Sequence, residues 1–175
     1  MIFEVNGFDV SKWQGDIDWD VFGTKGDFFI IRAGSIDNVT GVCYADYKLE
    51  RNAELAIATG KPVGFYFYFR PQFNAYKQAD YFCELIKDYK WRIFPSIDVE
   101  ETGNKSAAVI VTGVNQFLSR VSKNLKTERM NYTSPGFWTF TTSWAHNDHL
   151  WCAGWNSGDT TPAIVTGKQI GRAHV

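Results

Sequence analysis

Cysteine is scarce and scattered in this 175-residue chain: Cys43, Cys83 and Cys152 are odd in number and form neither a Cys-x-x-Cys pair nor a Cys/His cluster. Neither a disulfide framework nor a zinc site is therefore expected, and nothing calls for a metal or other cofactor. No run of 18 or more apolar residues occurs, so no membrane-inserting helix is expected. The first residues show no basic stretch leading into an apolar one, and no secretory signal is read there. Charge of one sign is also missing. The net charge of −1 leaves no electrostatic footprint for nucleic acid or an anionic membrane. Low-complexity linkers and internal repeats are absent too, which for this length points to one domain, expected as a monomer.

What is abundant is aromatic. Hydrophobic residues make up 45% of the chain and aromatics 17%, including seven Trp and eight Tyr, while charged residues are 21%. This is a globular composition. Trp and Tyr offer flat apolar faces with a polar edge, which suits a sugar-binding cleft, although an aromatic-rich core uses the same residues. Strand-like runs fall at 7–10, 28–34, 63–69, 94–99, 130–134 and 150–155. Between them lie helical patterns. Residues 46–59 end at Gly60 and Pro62, Asn74 can cap a helix carrying Ala79, Phe82, Cys83 and Ile86, and 105–124 carries Val114, Phe117, Leu118 and Val121. Alternation of this kind argues for an α/β fold with a parallel sheet or barrel.

The strands sort their side chains by face. In 63–70, Val63, Phe65, Phe67 and Phe69 share the face that would pack under helices; Gly64, Tyr66, Tyr68 and Arg70 share the other, which resembles a barrel lumen. Gly7, Asp9 and Ser11 share a face in the first strand, and Arg32 shares one with Ile30 and Gly34 in the second. The segment Phe94-Pro95-Ser96-Ile97-Asp98-Val99-Glu100 reads as a buried strand ending in two carboxylates that point the same way, roughly 6–7 Å apart. Two crowded acids repel, which raises one pKa and leaves the other ionised, the division of labour that glycoside hydrolysis needs. An acidic strand end that faces solvent or pairs with a base is the plainer alternative. Barrel enzymes gather catalytic groups at the C-terminal ends of different strands, and Asp9, Arg70, Asp98 and Glu100 all stand at such ends.

The motifs at these positions resemble a known family. Gly7-Phe8-Asp9-Val10-Ser11-Lys12-Trp13-Gln14-Gly15 is similar to the opening of glycoside hydrolase family 25, the muramidases. Ile17-Asp18-Trp19, Phe29-Ile30-Ile31-Arg32-Ala33, Pro62-Val63-Gly64-Phe65-Tyr66, Gln78-Ala79, Ile97-Asp98-Val99-Glu100, Tyr132-Thr133 and Leu150-Trp151-Cys152-Ala153 match its later motifs in order. The resemblance implies an irregular TIM-like (β/α)5β3 barrel, and cleavage of the β-1,4 bond between N-acetylmuramic acid and N-acetylglucosamine in bacterial peptidoglycan. It implies Glu100 as general acid, Asp98 as an ionised group that assists by stabilising the oxocarbenium-like centre or orienting the N-acetyl group, and Asp9 as part of the anionic floor. Tyr66 and Tyr132 would contact sugars, Trp13 and Trp155 would form subsite platforms, and Arg70 would bind a substrate carboxylate or pair with one of the acids. Each has a structural alternative in packing or hydrogen bonding. His146, Asp148 and His149 read as a solvated polar loop. The chitinase family with a D-x-x-D-x-D-x-E strand does not fit, because no acid occurs from Trp91 to Ile97.

The resemblance is expected to end near Trp155, before the family's last strands. Gln169-Ile170-Gly171-Arg172-Ala173-His174-Val175 reads as a translated sequencing-adapter string. Residues 1–168 are thus expected to be an incomplete catalytic domain and 169–175 a non-native tail. Six strands cannot close an eight-stranded barrel, so unpaired edges, poor stability and weak activity are expected. A catalytically impaired wall-binding module is the alternative function. The site of action is expected to be the bacterial cell wall, reached by phage-mediated release or by secretion.

Overall fold

The computed structural model describes residues 6–140 and 149–152. Parallel strands alternate with helices along the chain: β1 (Gly7–Val10), α1 (Trp19–Lys25), β2 (Phe28–Ile36), β3 (Cys43–Ala45), α2 (Leu49–Ala58), β4 (Val63–Tyr68), α3 (Ala75–Ile86), β5 (Ser96–Asp98), α4 (Ala107–Leu125), β6 (Met130–Thr133), α5 (Pro135–Phe140) and β7 (His149–Cys152). The strands pair in the order β1-β2-β4-β5-β6-β7, all parallel, and β3 adds antiparallel to β2. The sheet is a curled half-barrel, with β1 and β7 as its edges among the described residues. No helix among those residues is long and apolar enough to cross a membrane.

Local chemistry explains the boundaries. Asn74 caps α3 by accepting from the Lys77 amide at 2.9 Å. Past α2, Gly60 turns the chain at φ +74°, a conformation that a Cβ would oppose. Two short elements escape the periodicity reading. Helix α1 is only seven residues long and depends on Asp18, whose carboxylate accepts from the Asp20 and Val21 amides. Strand β3 is three residues long and folds back on β2 through the Asp37–Val42 turn. Strand β5 covers only 96–98 of the expected 94–99, because Pro95 has no N–H to offer a ladder; its carbonyl still accepts from the Met130 amide at 3.0 Å.

The helices cover the outer face of the sheet. Phe65, Phe67, Phe69, Ile97 and Val99 are buried there against Phe82 of α3 and Phe117 of α4. The Phe67 ring lies 5.8 Å from Phe82 and 5.9 Å from Phe117. Inside the curl a second apolar cluster, Phe28, Ile30, Met130 and Trp151 with Ile93 and Phe94 against it, plugs the lumen. Gly7 makes room for this plug, since a Cβ there would stand 1.9 Å from the Phe28 ring. The face assignment for 63–69 therefore holds. In β2 it holds for Ile30 and Arg32 but not Gly34: a bulge between Arg32 and Gly34 brings Gly34 opposite Phe67 of the helix-packed face. Residue Trp155, the His146–Asp148 segment and everything from 153 on, including the 169–175 tail, lie outside the described residues.

Candidate active site

The C-terminal ends of β1, β2, β4, β5 and β6 converge on one polar floor above the apolar plug. Tyr68, Asp98, Tyr132 and Trp151 stand opposite one another on four neighbouring strands, so Asp98 is flanked by a tyrosine on each side. One step lower, Arg32, Tyr66 and Ser96 form a similar row. Asp9 reaches the same floor from β1 and influences both Asp98 and Tyr66 electrostatically. Glu100 follows two residues after the end of β5 and takes a hydrogen bond from Tyr132.

The electrostatics of this floor are dominated by burial. Asp98 is buried, and its carboxyl is pushed well above the usual range, first by loss of water, then by Glu100 and Asp9, with Arg32 opposing. Its Oδ1 is buried without a protein hydrogen-bond partner among the described residues. Asp9 is pushed up to about 6 by burial, with Glu100 adding to the rise and a backbone hydrogen bond opposing it. Glu100 is also raised by burial, while the Tyr132 hydrogen bond and Arg32 pull it back. The residue is exposed at the cleft mouth even though protein crowds its inner side. The Tyr66 hydroxyl is raised strongly, by burial and then by Asp98 and Asp9, so it stays a neutral donor facing both acids. Three carboxyls, buried Asp98, half-buried Asp9 and Glu100 at the mouth, thus gather about one buried cation, Arg32, and each retains its proton more firmly than a free carboxylate would.

The direction at Asp98 differs from the sequence expectation of an ionised Asp98 beside a protonated Glu100. Burial outweighs the Asp98–Glu100 repulsion, and it falls more heavily on Asp98, inside the strand, than on Glu100 at the mouth. Arg70 differs as well. It pairs neither with Asp98 nor with Glu100 but with Glu101, through Nη1 contacts of 2.9 and 2.7 Å. Trp13 sits on a 3-10 turn (Lys12–Gln14) just past β1, 76% exposed, with the Lys12 ammonium 5.0 Å from its ring centroid. His149 is no solvated loop residue: it begins β7, stacks on Phe94 at 4.6 Å and meets Glu128 at 2.5 Å.

Three residues with roles here went unnoticed as site candidates in the sequence. Arg32 is the cation of the floor, and its signal was a lone charge in a nine-residue strand buried throughout. Glu101 is Arg70's partner. Asp46 is buried and accepts from the Lys12 and Lys48 amides at 3.1 and 2.9 Å, anchoring the turn that carries Trp13. Its position after a three-residue strand offered no pattern to read.

Comparison with known proteins adds an independent line. The family model for glycosyl hydrolases family 25 matches residues 8–170, past the point near Trp155 where the motif resemblance was expected to stop. The uncharacterized protein YegX of Escherichia coli K12 is 30% identical over 151 residues, which span 85% of this chain and 55% of that protein. Lysozyme M1 of Streptomyces globisporus is 30% identical over 180 aligned positions, covering 93% of this chain and 58% of the lysozyme. The chain therefore spans little more than half the length of these curated relatives. Among solved structures, a bacterial lysozyme from Streptomyces coelicolor superposes with a TM-score of 0.74 at 28% identity, covering 92% of this chain and 79% of that one.

Proposed function

This chain belongs to glycosyl hydrolases family 25, and on that premise we propose that it acts as a muramidase on bacterial peptidoglycan, with Glu100, Asp98 and Asp9 as its reacting and charge-stabilising groups. The observation that supports this most is the set of three carboxyls with raised pKa values, gathered from two different strands onto one floor lined by tyrosines. The substrate bond is the β-1,4 link between N-acetylmuramic acid and N-acetylglucosamine.

Glu100 is the general acid. It stands at the cleft mouth, where a leaving oxygen can reach it, and burial raises its pKa in the direction a general acid needs. The Tyr132 hydrogen bond orients that carboxyl. Asp98, deeper and flanked by Tyr68 and Tyr132, lies below the sugar and holds the N-acetyl group for internal attack. Its elevated pKa makes the anion costly in the empty cleft. Positive charge developing at the anomeric carbon favours the Asp98 anion, so the carboxyl interacts more strongly with the transition state than with the resting cleft. Asp9 extends the negative floor, and the neutral Tyr66 hydroxyl donates to it or to a sugar oxygen. Trp13, solvent-exposed at the rim, offers a platform for a neighbouring sugar. Site of action is the cell wall.

The test is turbidity loss of purified cell walls together with analysis of the new reducing ends. Glu100→Gln is expected to slow lysis by at least about 100-fold, in line with loss of a general acid, and the parent chain to release reducing N-acetylmuramic acid. Lysis indifferent to Glu100, or reducing N-acetylglucosamine ends, would overturn the assignment. Wall binding without Glu100-dependent lysis would identify a binding module instead.

A further inference from the structure

The turn after β4 and the loop after β5 are joined by a side-chain network that the reaction described above leaves unused. Arg70 Nη1 donates to both carboxylate oxygens of Glu101 at 2.9 and 2.7 Å. Gln72 Nε2 at 3.3 Å and the Tyr68 hydroxyl at 3.4 Å complete the shell of that carboxylate. The pair is largely shielded, with side-chain exposures of 20% for Arg70 and 27% for Glu101. Arg70 is held in turn by Gln78, fully buried on α3, which accepts from the Arg70 amide and donates to the Arg70 carbonyl, both at 3.0 Å. The Arg70 guanidinium also lies 5.4 Å from the Tyr68 ring centroid. Gly103, at φ +54°, brings the loop so close that a Cβ there would stand 2.1 Å from Gln72 Oε1.

This network acts where the sheet no longer does. Strand β5 ends at Asp98; past it the Val99 amide still donates to the Tyr132 carbonyl at 3.0 Å and the Val99 carbonyl accepts from the Thr133 hydroxyl of β6 at 2.8 Å. Glu100 therefore lies beyond the ladder, on a segment of irregular backbone. Glu101 turns towards Arg70, which follows β4, while Glu100 meets Tyr132 of β6. Fixing one fixes the other. We infer that Glu101 is a positioning residue, whose carboxylate, held by Arg70 Nη1, Gln72 and the Tyr68 hydroxyl, fixes the loop after β5 so that the Glu100 carboxyl stays within reach of Tyr132. A charge-assisted pair largely shielded from water is strong enough for this, and misplacing a reacting group by about 1 Å can cost 100-fold in rate. The inference rests on the reading of Glu100 as general acid. It gives Glu101 no contact with substrate, and it reassigns Arg70 from binding a substrate carboxylate to holding its neighbour.

The test compares the full chain with Glu101→Gln, Glu100→Gln and the charge-swapped double variant Arg70→Glu/Glu101→Arg. Carboxyl carbon NMR titration reads Glu100 directly and needs no turnover; the groups facing it are Asp98, Asp9, Arg32, Tyr68 and Tyr132, with Glu101 and its partner Arg70 beside it. In Glu101→Gln the Glu100 pKa is expected to climb, because the Tyr132 hydrogen bond that pulls it down is weakened; loss of the Glu101 charge and release of Arg70 by themselves act in the other direction, so a fall in the Glu100 pKa overturns the inference. With soluble glycan chains, kcat is expected to fall about 10- to 100-fold with KM little changed, and the alkaline limb of the rate profile to move up with the pKa. The double variant is expected to recover most of both. A merely structural ion pair would lower the melting temperature and leave the Glu100 titration where it was; that result overturns the inference, as does an unchanged titration with unchanged lysis. Lysis that survives Glu100→Gln defeats the general-acid reading itself, whereas lysis that needs Glu100 and ignores Glu101 defeats only the positioning role.

Discussion

Replacing Asp9 by Asn should make the protein more stable at neutral pH while making it a worse enzyme. Asp9 is raised from its ordinary 3.8 to about 6, chiefly by burial and then by the charge of Glu100. An acid whose pKa is higher folded than unfolded makes the folded chain bind its proton more tightly. Its cost is therefore absent below about pH 3.8, grows as the pH rises, and is complete above about pH 6. At about 1.4 kcal/mol per pKa unit the rise corresponds to about 3 kcal/mol, an upper bound because water still reaches part of this half-buried carboxyl. Asparagine keeps the shape of the side chain and cannot ionise. Denaturant melts at pH 7.5 are expected to show Asp9→Asn more stable by up to about 3 kcal/mol, or roughly 6–12 °C in Tm for a chain of this size. At pH 4 the two proteins should agree within about 1 kcal/mol, since the folded acid is then protonated. Lysis should fall in the same variant, the usual exchange of stability for function at a charged site. A variant equally shifted at both pH values, or less stable at pH 7.5, would refute the account of Asp9 as a buried and electrostatically opposed anion.

Two further outcomes test the frame that holds the site. Phe117→Ala removes a fully buried ring that lies 5.9, 5.7 and 5.9 Å from Phe67, Phe69 and Phe82; urea melts should show a loss of about 3–5 kcal/mol. Gly34→Ala places a Cβ 2.3 Å from the Tyr44 carbonyl oxygen, a backbone atom that cannot rotate away. Hydrogen exchange should then show residues 43–45 released while β2 and β4 stay paired, at a cost of about 1–3 kcal/mol.

Much of this molecule was legible in its sequence because the relevant forces are local and periodic. Alternation in 63–69 sorted the helix-packed phenylalanines from the lumen tyrosines, and Asn74 and Gly60 marked helix ends through their own backbone chemistry. Motif order was enough to name the family. Where the sequence reading went astray, a long-range contact or an environment was responsible. The bulge at Arg32/Gly34 shifts the face of Gly34, because strand pairing rather than sequence parity sets the register there. Arg70 had three carboxylates within plausible reach, and the direction of the loop after β5 gave it Glu101.

The chain alone singled out Asp98 and Glu100 as candidate acids, two positions apart at the end of one strand. It could not specify how they titrate. Their spacing is a property of the backbone, whereas pKa values depend on how much water remains and which charges stand near. Packing decided both: it sank Asp98 among tyrosines, brought Asp9 and Arg32 to it from other strands, and left Glu100 at the mouth with Tyr132.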